Sequence, residues 1–382
     1  MSAVDVTADA TGTTGTDAAA LALVSLASMT PARLDALLRA WPDPRDAVAA
    51  VLDRDRAVTD VIRARSPATG APEMAALVDR WSETVDVAAA ERTIARRRTQ
   101  VVLATDAHYP IRDDVPRRPA VLLAEGTTLD AFCGPRVAIV GTRAATLQGL
   151  DDARQLGRAL ADAGCSIVSG MAIGIDAAAH EGALEAGGVP IGVVATGLDV
   201  VYPRRHRALF DRVRAAGLLV GESAFGTKPE PTRFPVRNRI IAALADVVVV
   251  VEATVKGGAR ITAERALEYD RPLFAMPGSR RNPAAAGCNA LLADGAHPLL
   301  DPSDVLLALG MTEGSRRGWA PRPSVHVSVD AQACVRACGG EPATADQLAA
   351  RTGLDPAALA RALAECQRAG LLTQSRGFLW PV

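Results

Sequence analysis

Aromatic residues are scarce, making up 3 % of the 382 residues, although apolar residues as a class reach 49 %. The core must therefore be built from Ala, Val, Leu and Ile, which suits helices packed on a parallel sheet, and rings on which bases could stack are few. An excess of one charge is missing too. The 42 basic and 43 acidic residues leave a formal charge of −1, which excludes a polycation that coats nucleic acid along its length. Any nucleic-acid site has to be a local patch. Cysteines are six and scattered (Cys133, Cys165, Cys288, Cys334, Cys338, Cys366), and Cys334 and Cys338 lack the second close pair or the His spacing of a zinc site. They read as reduced, mostly buried thiols, and no metal is expected. No window reaches the roughly 18 continuous apolar residues of a membrane span. The stretch 1–17, rich in Thr, Ala and Asp, has neither the basic start nor the apolar run of an export signal. It reads as a disordered tail, and a reducing cytoplasm is the expected location.

At about 150 residues per domain, the length predicts two or three domains. Residues 18–72 read as a small helical domain of the helix-hairpin-helix or SAM kind, with Thr30 as N-cap, Pro31 at the first helical position, and Leu34, Leu37 and Leu38 on one face. The stretch from Arg65 to Pro72 reads as a linker, and the helix after it carries Arg92, Arg96, Arg97 and Arg98 as a solvated face. Residues 73–312 form the main domain. There, from about Val101 to Gly310, a short apolar run, a turn and an amphipathic stretch recur, which predicts an α/β fold: an extended Rossmann-like, doubly wound, mostly parallel sheet. Candidate strands are Val137–Val140, Cys165–Val168, Ile191–Ala195, Leu218–Val220, Val247–Val251 and Leu273–Ala275. Residues 313–330, around Ala320-Pro321-Arg322-Pro323, read as a second linker. In 331–382, helical stretches Thr344–Arg351 and Pro356–Ala369 precede two short strands about Arg376-Gly377, the order of a winged helix.

Ligands of such sheets sit at the carboxyl ends of the strands, so the loops there are the candidate sites. The first strand ends in Gly141-Thr142-Arg143 ahead of a helix, where backbone N–H groups, the helix dipole and a guanidinium can meet a phosphate. This is not Gly-x-Gly-x-x-Gly, and no acid closes the second strand to hold a ribose, so no dinucleotide cofactor is expected. The next strand opens into Ser169-Gly170-Met171-Ala172-Ile173-Gly174-Ile175-Asp176, where Gly170 and Gly174 permit close backbone approach. Asp176 and His180 share one helix face, a pair that reads as structural because no Ser or Cys nucleophile accompanies it.

From Tyr202 to Arg239 nine basic residues face three acidic ones, a local charge of +6. Within this stretch Phe234, Arg237, Asn238 and Arg239 combine a ring to stack a base, guanidinium groups for phosphate and an amide for a base edge. Farther on, Lys256-Gly257-Gly258-Ala259-Arg260 makes a second anion-accepting turn before a helix, without the P-loop pattern of ATP hydrolysis.

Taken in order, Gly141-Thr142-Arg143, Ser169 to Asp176 with Ala179-His180, Gly197 to Pro203, Phe234 to Ile241, Gly257 to Ala263, Pro277-Gly278 and Gly287 to Ala296 resemble the DprA/Smf family over about 170 residues. The resemblance implies a non-enzymatic protein that binds single-stranded DNA without sequence preference, forms a homodimer and helps load the RecA recombinase in transformation and recombination. It maps DNA contacts onto Arg143, Phe234, Arg237 and Asn238, with Gly170, Gly174 and Asp176 shaping the loop beside them. The glycine turn departs from the family's Ser-Gly-Ser flavour, having lost hydroxyls and gained Lys256 and Arg260. The competing expectation is an enzyme: Gly257-Gly258 with Thr262 and Glu264 is similar to the turn of Rossmann-like phosphoribohydrolases acting on nucleoside monophosphates, with the Thr one residue late.

Overall fold

The structure is a computed structural model and describes residues 15–65, 70–311, 327–338, 342–369, 371–375 and 378–381. Most of the tail, residues 66–69 of the first linker, the greater part of the second and the Arg376-Gly377 turn lie outside the described residues.

Among the described residues nine strands form the central sheet: β1 Gln100–Leu103, β2 Val121–Gly126, β3 Arg136–Val140, β4 Ser166–Ser169, β5 Pro190–Val193, β6 Leu218–Gly221, β7 Val247–Val250, β8 Leu273–Ala275 and β9 His297–Pro298. Their spatial order is β1-β2-β6-β5-β4-β3-β7-β8-β9. From β6 to β9 every neighbouring pair is parallel, while β2 pairs with β6 and β1 with β2 antiparallel. Each candidate strand therefore exists within a residue or two, and the antiparallel edge of β1 and β2 extends the sheet beyond them.

The four consecutive valines of β7 show why these runs read as uninterrupted. Val248 and Val250 pack with Ile240, Leu244 and Ala263 on one face, and Val247 and Val249 with Leu156, Leu160 and Ala179 on the other. Helices cover both faces, so both sets of a period-two strand are buried. Ala- and Gly-rich helix faces let helices approach the sheet and each other; Gly157 and Gly182 face the backbone of Ala179 and Arg154, where a side chain would clash.

Chain order sets the position of the site. From β3 the chain steps outward through β4, β5 and β6, then returns to place β7 on the other side of β3 and continues to β8 and β9. The winding reverses between β3 and β7, and a crevice opens at the carboxyl ends of those two strands.

The N-terminal helices reach farther than residue 72. Helices Gly15–Val24, Pro31–Ala40, Pro44–Leu52 and Arg56–Ala64 are followed by Ala71–Thr84 and Val87–Arg97, which share their core. Buried Trp81 donates its indole N–H to the Ala27 carbonyl at 2.8 Å, tying the fifth helix to the first loop. The apolar face of 71–97 packs with the helices upstream, and the same core continues into Leu103, Val121, Leu123 and Leu219 of the sheet. The Thr30 cap forms as expected, accepting from the Arg33 N–H, and Leu34 and Leu37 are buried. Arg97 is not simply solvated: it binds buried Glu125 of β2 at 2.7 Å and lies 4.8 Å over the Phe225 ring.

In the C-terminal part, helices Val329–Cys338, Ala345–Thr352 and Pro356–Arg368 pack with a hairpin of β10 Leu372–Ser375 and β11 Phe378–Pro381. The first of these helices has no counterpart among the helical stretches read from the sequence, and Ala331 and Cys334 on it are buried in the core of this unit. Thr344 and Gln347 make a capping box, and Gly353 ends its helix in the left-handed conformation. Five of the six cysteines are buried free thiols, and Cys133 is exposed. Among the described residues no helix is long and apolar enough to cross a membrane, and no three His, Cys, Asp or Glu side chains gather as a metal site.

Candidate functional site

A cleft of about 500 Å³ occupies the crevice between the ends of β3 and β7. Gly141-Thr142-Arg143, Phe234, Asn238 and Gly257-Gly258 all line it, so turns separated by more than a hundred residues meet in one place.

Its first wall is locked before any ligand arrives. The Thr142 N–H donates to the Glu252 carbonyl at 2.7 Å, joining the ends of the two central strands. Thr146 caps the helix Leu147–Asp162 and donates its hydroxyl to the Glu252 carboxylate at 2.6 Å, while its N–H reaches the second carboxylate oxygen at 2.9 Å. Gly174, at φ 85°, lies against the Thr142 carbonyl, where a Cβ would collide. Arg143 is thus held between two anchored residues with its own side chain exposed.

That side chain lies over a ring. The Arg143 guanidinium carbon is 4.9 Å from the centroid of Phe234, and the Tyr202 ring follows at 5.4 Å from Phe234 with a 43° tilt. A cation on the negative face of a ring is favourable and keeps the fork available for phosphate. Arg143 makes no ion pair among the described residues. Tyr202, 39 % exposed, is the residue that sequence reasoning passed over; its signal was an aromatic side chain in a chain with almost none.

The opposite wall is the turn Gly257-Gly258 at the start of the helix Gly258–Glu268, whose N-terminus carries no side-chain cap and so leaves its dipole to a ligand. Asn238 fastens this turn, donating its amide to the Gly258 carbonyl at 3.1 Å. Its oxygen accepts from Arg237 Nε at 3.3 Å.

The floor is held by buried polar groups. Arg237 is 5 % exposed; its Nη1 donates to the Gly170 carbonyl at 2.6 Å and to the Val193 carbonyl. It faces Asp176, whose carboxylate accepts the Gly170 N–H at 3.1 Å and the Ala172 N–H. Burial pushes the Asp176 carboxyl up against the pull of Arg237 and these donors, and burial draws Arg237 down to about 10, which still leaves it charged near neutrality. Arg237 thus braces the floor of the cleft, on the same face of its helix as the rim residue Phe234 but deeper.

Ser169 is likewise buried, its hydroxyl donating to the Ile139 carbonyl at 2.6 Å, and both backbone groups of Gly170 are engaged. Arg239 pairs with half-buried Glu222 and donates to the Arg117 carbonyl at 2.8 Å. Lys256 is exposed outside the cleft lining, and Arg260, 3.9 Å from Asp294, also points elsewhere. His180 is fully buried, and burial lowers it to about 4. It stays neutral and packs the floor.

A doubly wound fold with a ligand cleft at its switch point, cationic on one rim and lined by rings, defines the class of molecule. Residues 100–310 match the family model described as DNA recombination-mediator protein A, and residues 320–377 match that of the DprA winged helix domain. The chain belongs to the DNA recombination-mediator protein A family. It is 41 % identical over 220 residues to Protein Smf of Synechocystis sp., covering 56 % of this chain and 55 % of that one. It is 39 % identical over 258 residues to the putative DNA processing protein DprA of Mycobacterium tuberculosis, covering 66 % of each. The chain thus spans about half to two thirds of the length of these curated relatives. The X-ray structure of DNA processing protein A from Streptococcus pneumoniae superposes with a TM-score of 0.63 at 32 % identity, covering 77 % of this chain and 97 % of that one.

Proposed function

We propose that the chain binds single-stranded DNA without reading its sequence, as a homodimer in the cytoplasm, and passes the strand to a RecA-type recombinase during DNA uptake and homologous recombination. The observation that carries this reading is the Arg143–Phe234–Tyr202 stack on the rim of the switch-point cleft. A guanidinium fork takes a phosphate, rings take a base face, and every base has one, so the arrangement tolerates any sequence. A helix N-terminus across the cleft adds a second anion-favouring element. Family membership supports the recombination context.

The enzymatic alternative loses its key residue. Glu264 is exposed and does not line the cleft, Thr262 is buried at its base, and the lining carboxylate Asp176 is engaged by Arg237 and backbone donors. Among the described residues, the carboxylate that lines the cleft is thus the one already held by Arg237 and the Gly170 N–H.

Fluorescence anisotropy with labelled oligonucleotides tests the proposal. Single strands of thymidine, cytidine and mixed sequence should bind alike and more tightly than duplex, with log affinity falling linearly against log salt. Equal affinity for duplex would overturn it. Recombinase delivery is read separately, as faster RecA assembly on single strands in the presence of the protein.

A further inference from the structure

The turn that follows β4 has the make-up of a phosphate site and already holds an anion. In doubly wound folds a glycine-rich turn from a strand into a helix cradles phosphate on its backbone N–H groups and on the helix N-terminus. In this chain the turn runs from Gly170 to Gly174 and into the helix Ile175–Glu185, whose N-cap, Gly174, supplies no side-chain cap. The group seated in it is the carboxylate of Asp176, which lines the cleft and accepts the Gly170 N–H at 3.1 Å together with the Ala172 N–H.

The seat is tight and charged. A Cβ on Gly170 would come within 2.6 Å of Asp176 Oδ2 and 2.7 Å of Arg237 Nη2, so carboxylate, guanidinium and turn meet at one point that only glycine leaves open. Arg237 and Arg143 both attract the Asp176 charge, and the two arginines oppose each other. Without Asp176 the floor would present two backbone donors, a buried guanidinium and a helix N-terminus to whatever enters the cleft, which is the donor set of a phosphate site. With Asp176 in place, those donors are satisfied by the protein's own side chain.

Resting on the single-strand reading above, we infer that Asp176 is a specificity determinant: it stands in the phosphate seat of the cleft as a resident anion, turns away free nucleotides, and leaves the internal phosphodiesters of a strand to the exposed Arg143. The cleft, at about 500 Å³ and with rings on its rim, is otherwise large enough for a mononucleotide. A terminal phosphate carries roughly 1.5 to 2 negative charges at neutral pH and a diester a single one, so a fixed carboxylate repels the free nucleotide more strongly at equal distance. A strand offsets the repulsion by engaging several successive nucleotides at once. A mononucleotide has one phosphate and one base, and nothing else with which to offset it.

The test uses thymidine monophosphate and inorganic phosphate as probes on three full-length proteins: wild type, Asp176→Ala, which empties the seat, and Asp176→Asn, which removes the charge and keeps the shape. Displacement of a labelled oligothymidylate by the mononucleotide should need concentrations about 10- to 100-fold lower for Asp176→Ala than for wild type, the factor of one charge-assisted hydrogen bond gained, with Asp176→Asn between the two. Either variant leaves Arg237 without its counterion and lowers stability, so melting is followed as well. At equal ionic strength, phosphate in place of chloride should raise the Tm of Asp176→Ala and leave that of wild type unmoved. A merely structural Asp176 would lower the Tm of both variants and give neither response. The inference is overturned if the mononucleotide displaces the strand from wild type as readily as from Asp176→Ala, or if phosphate leaves the variant's Tm unchanged. Should Asp176→Ala not fold, displacement from Asp176→Asn decides, and a value equal to that of wild type overturns it. An Asp176→Ala protein that takes up phosphate while wild type binds no single strand would uphold the resident anion and overturn the single-strand reading.

Discussion

The floor and the rim of the cleft hold the same residue type and use it in opposite ways. On the floor Arg237 is buried, caps two carbonyls and faces a buried carboxylate; on the rim Arg143 is exposed, without an ion pair, and lies over a ring. The two are close enough for their charges to oppose one another, which lowers the cost of bringing an anion to the exposed one. A guanidinium can brace a backbone or meet a ligand, and burial decides which. Phe234 and Arg237, three residues apart on one helix, fall on the two sides of that division.

Breaking the floor should have the largest effect. Arg237→Ala leaves Asp176 buried without its cation, and removing one partner of a buried pair costs about 3–5 kcal/mol. Urea denaturation should record that loss, and replacing both partners with apolar residues, Asp176→Leu with Arg237→Met, should recover a good part of it. A folded Arg237→Ala protein of wild-type stability that binds DNA weakly would place Arg237 on the rim instead.

The next effect belongs to His180. Its ordinary value of 6.5 falls to about 4 in the fold, so the unfolded chain takes up the proton first. Stability from this group is complete above pH 6.5 and is lost as pH falls towards 4, by up to about 3 kcal/mol. Asp176, pushed up by burial, acts in the opposite sense, being relieved by protonation as pH falls. The difference between wild type and His180→Leu isolates the imidazole: the variant should resist acid better across that window. Parallel stability curves for the two proteins would show that His180 titrates freely.

What the residues disclose in advance follows from the kind of constraint each meets. Buried strands such as Val247–Val250 are legible because both faces demand apolar side chains, and the turns at Gly141 and Gly257 because backbone must approach backbone or ligand. The antiparallel strands β1 and β2 escaped because Gln100–Leu103 is short and lies outside the strand-turn-helix rhythm. The burial of Arg237 is illegible for a different reason. Its partners, Gly170, Val193 and Asp176, are distant in sequence, and an arginine in a basic run carries no local mark of burial. The Thr146–Glu252 anchor likewise spans 106 residues and leaves no local pattern. Tyr202 was legible in principle, since a ring in a chain of 3 % aromatics beside arginines is itself a sign of stacking.

The smallest expected change in stability, and the sharpest test of the rim, is Arg143→Ala. The side chain is exposed and makes no ion pair, so its removal should shift stability by no more than about 0.5 kcal/mol. Binding should nevertheless weaken for all sequences alike, because the group meets phosphate and not a base edge, and the salt line should flatten by roughly 0.7. Arg143→Lys separates the two parts of its role. Lysine returns the charge, and with it the slope, but not the planar fork that stacks on Phe234 and holds phosphate at two points, so affinity should recover only in part. Phe234→Ala should do the reverse, weakening binding by roughly 1–3 kcal/mol with a nearly unchanged slope, since a base loses its platform while the charges stay. An Arg143→Ala protein that melts and binds as wild type does, with the same slope, would remove Arg143 from the interface and leave the cleft without its cationic rim.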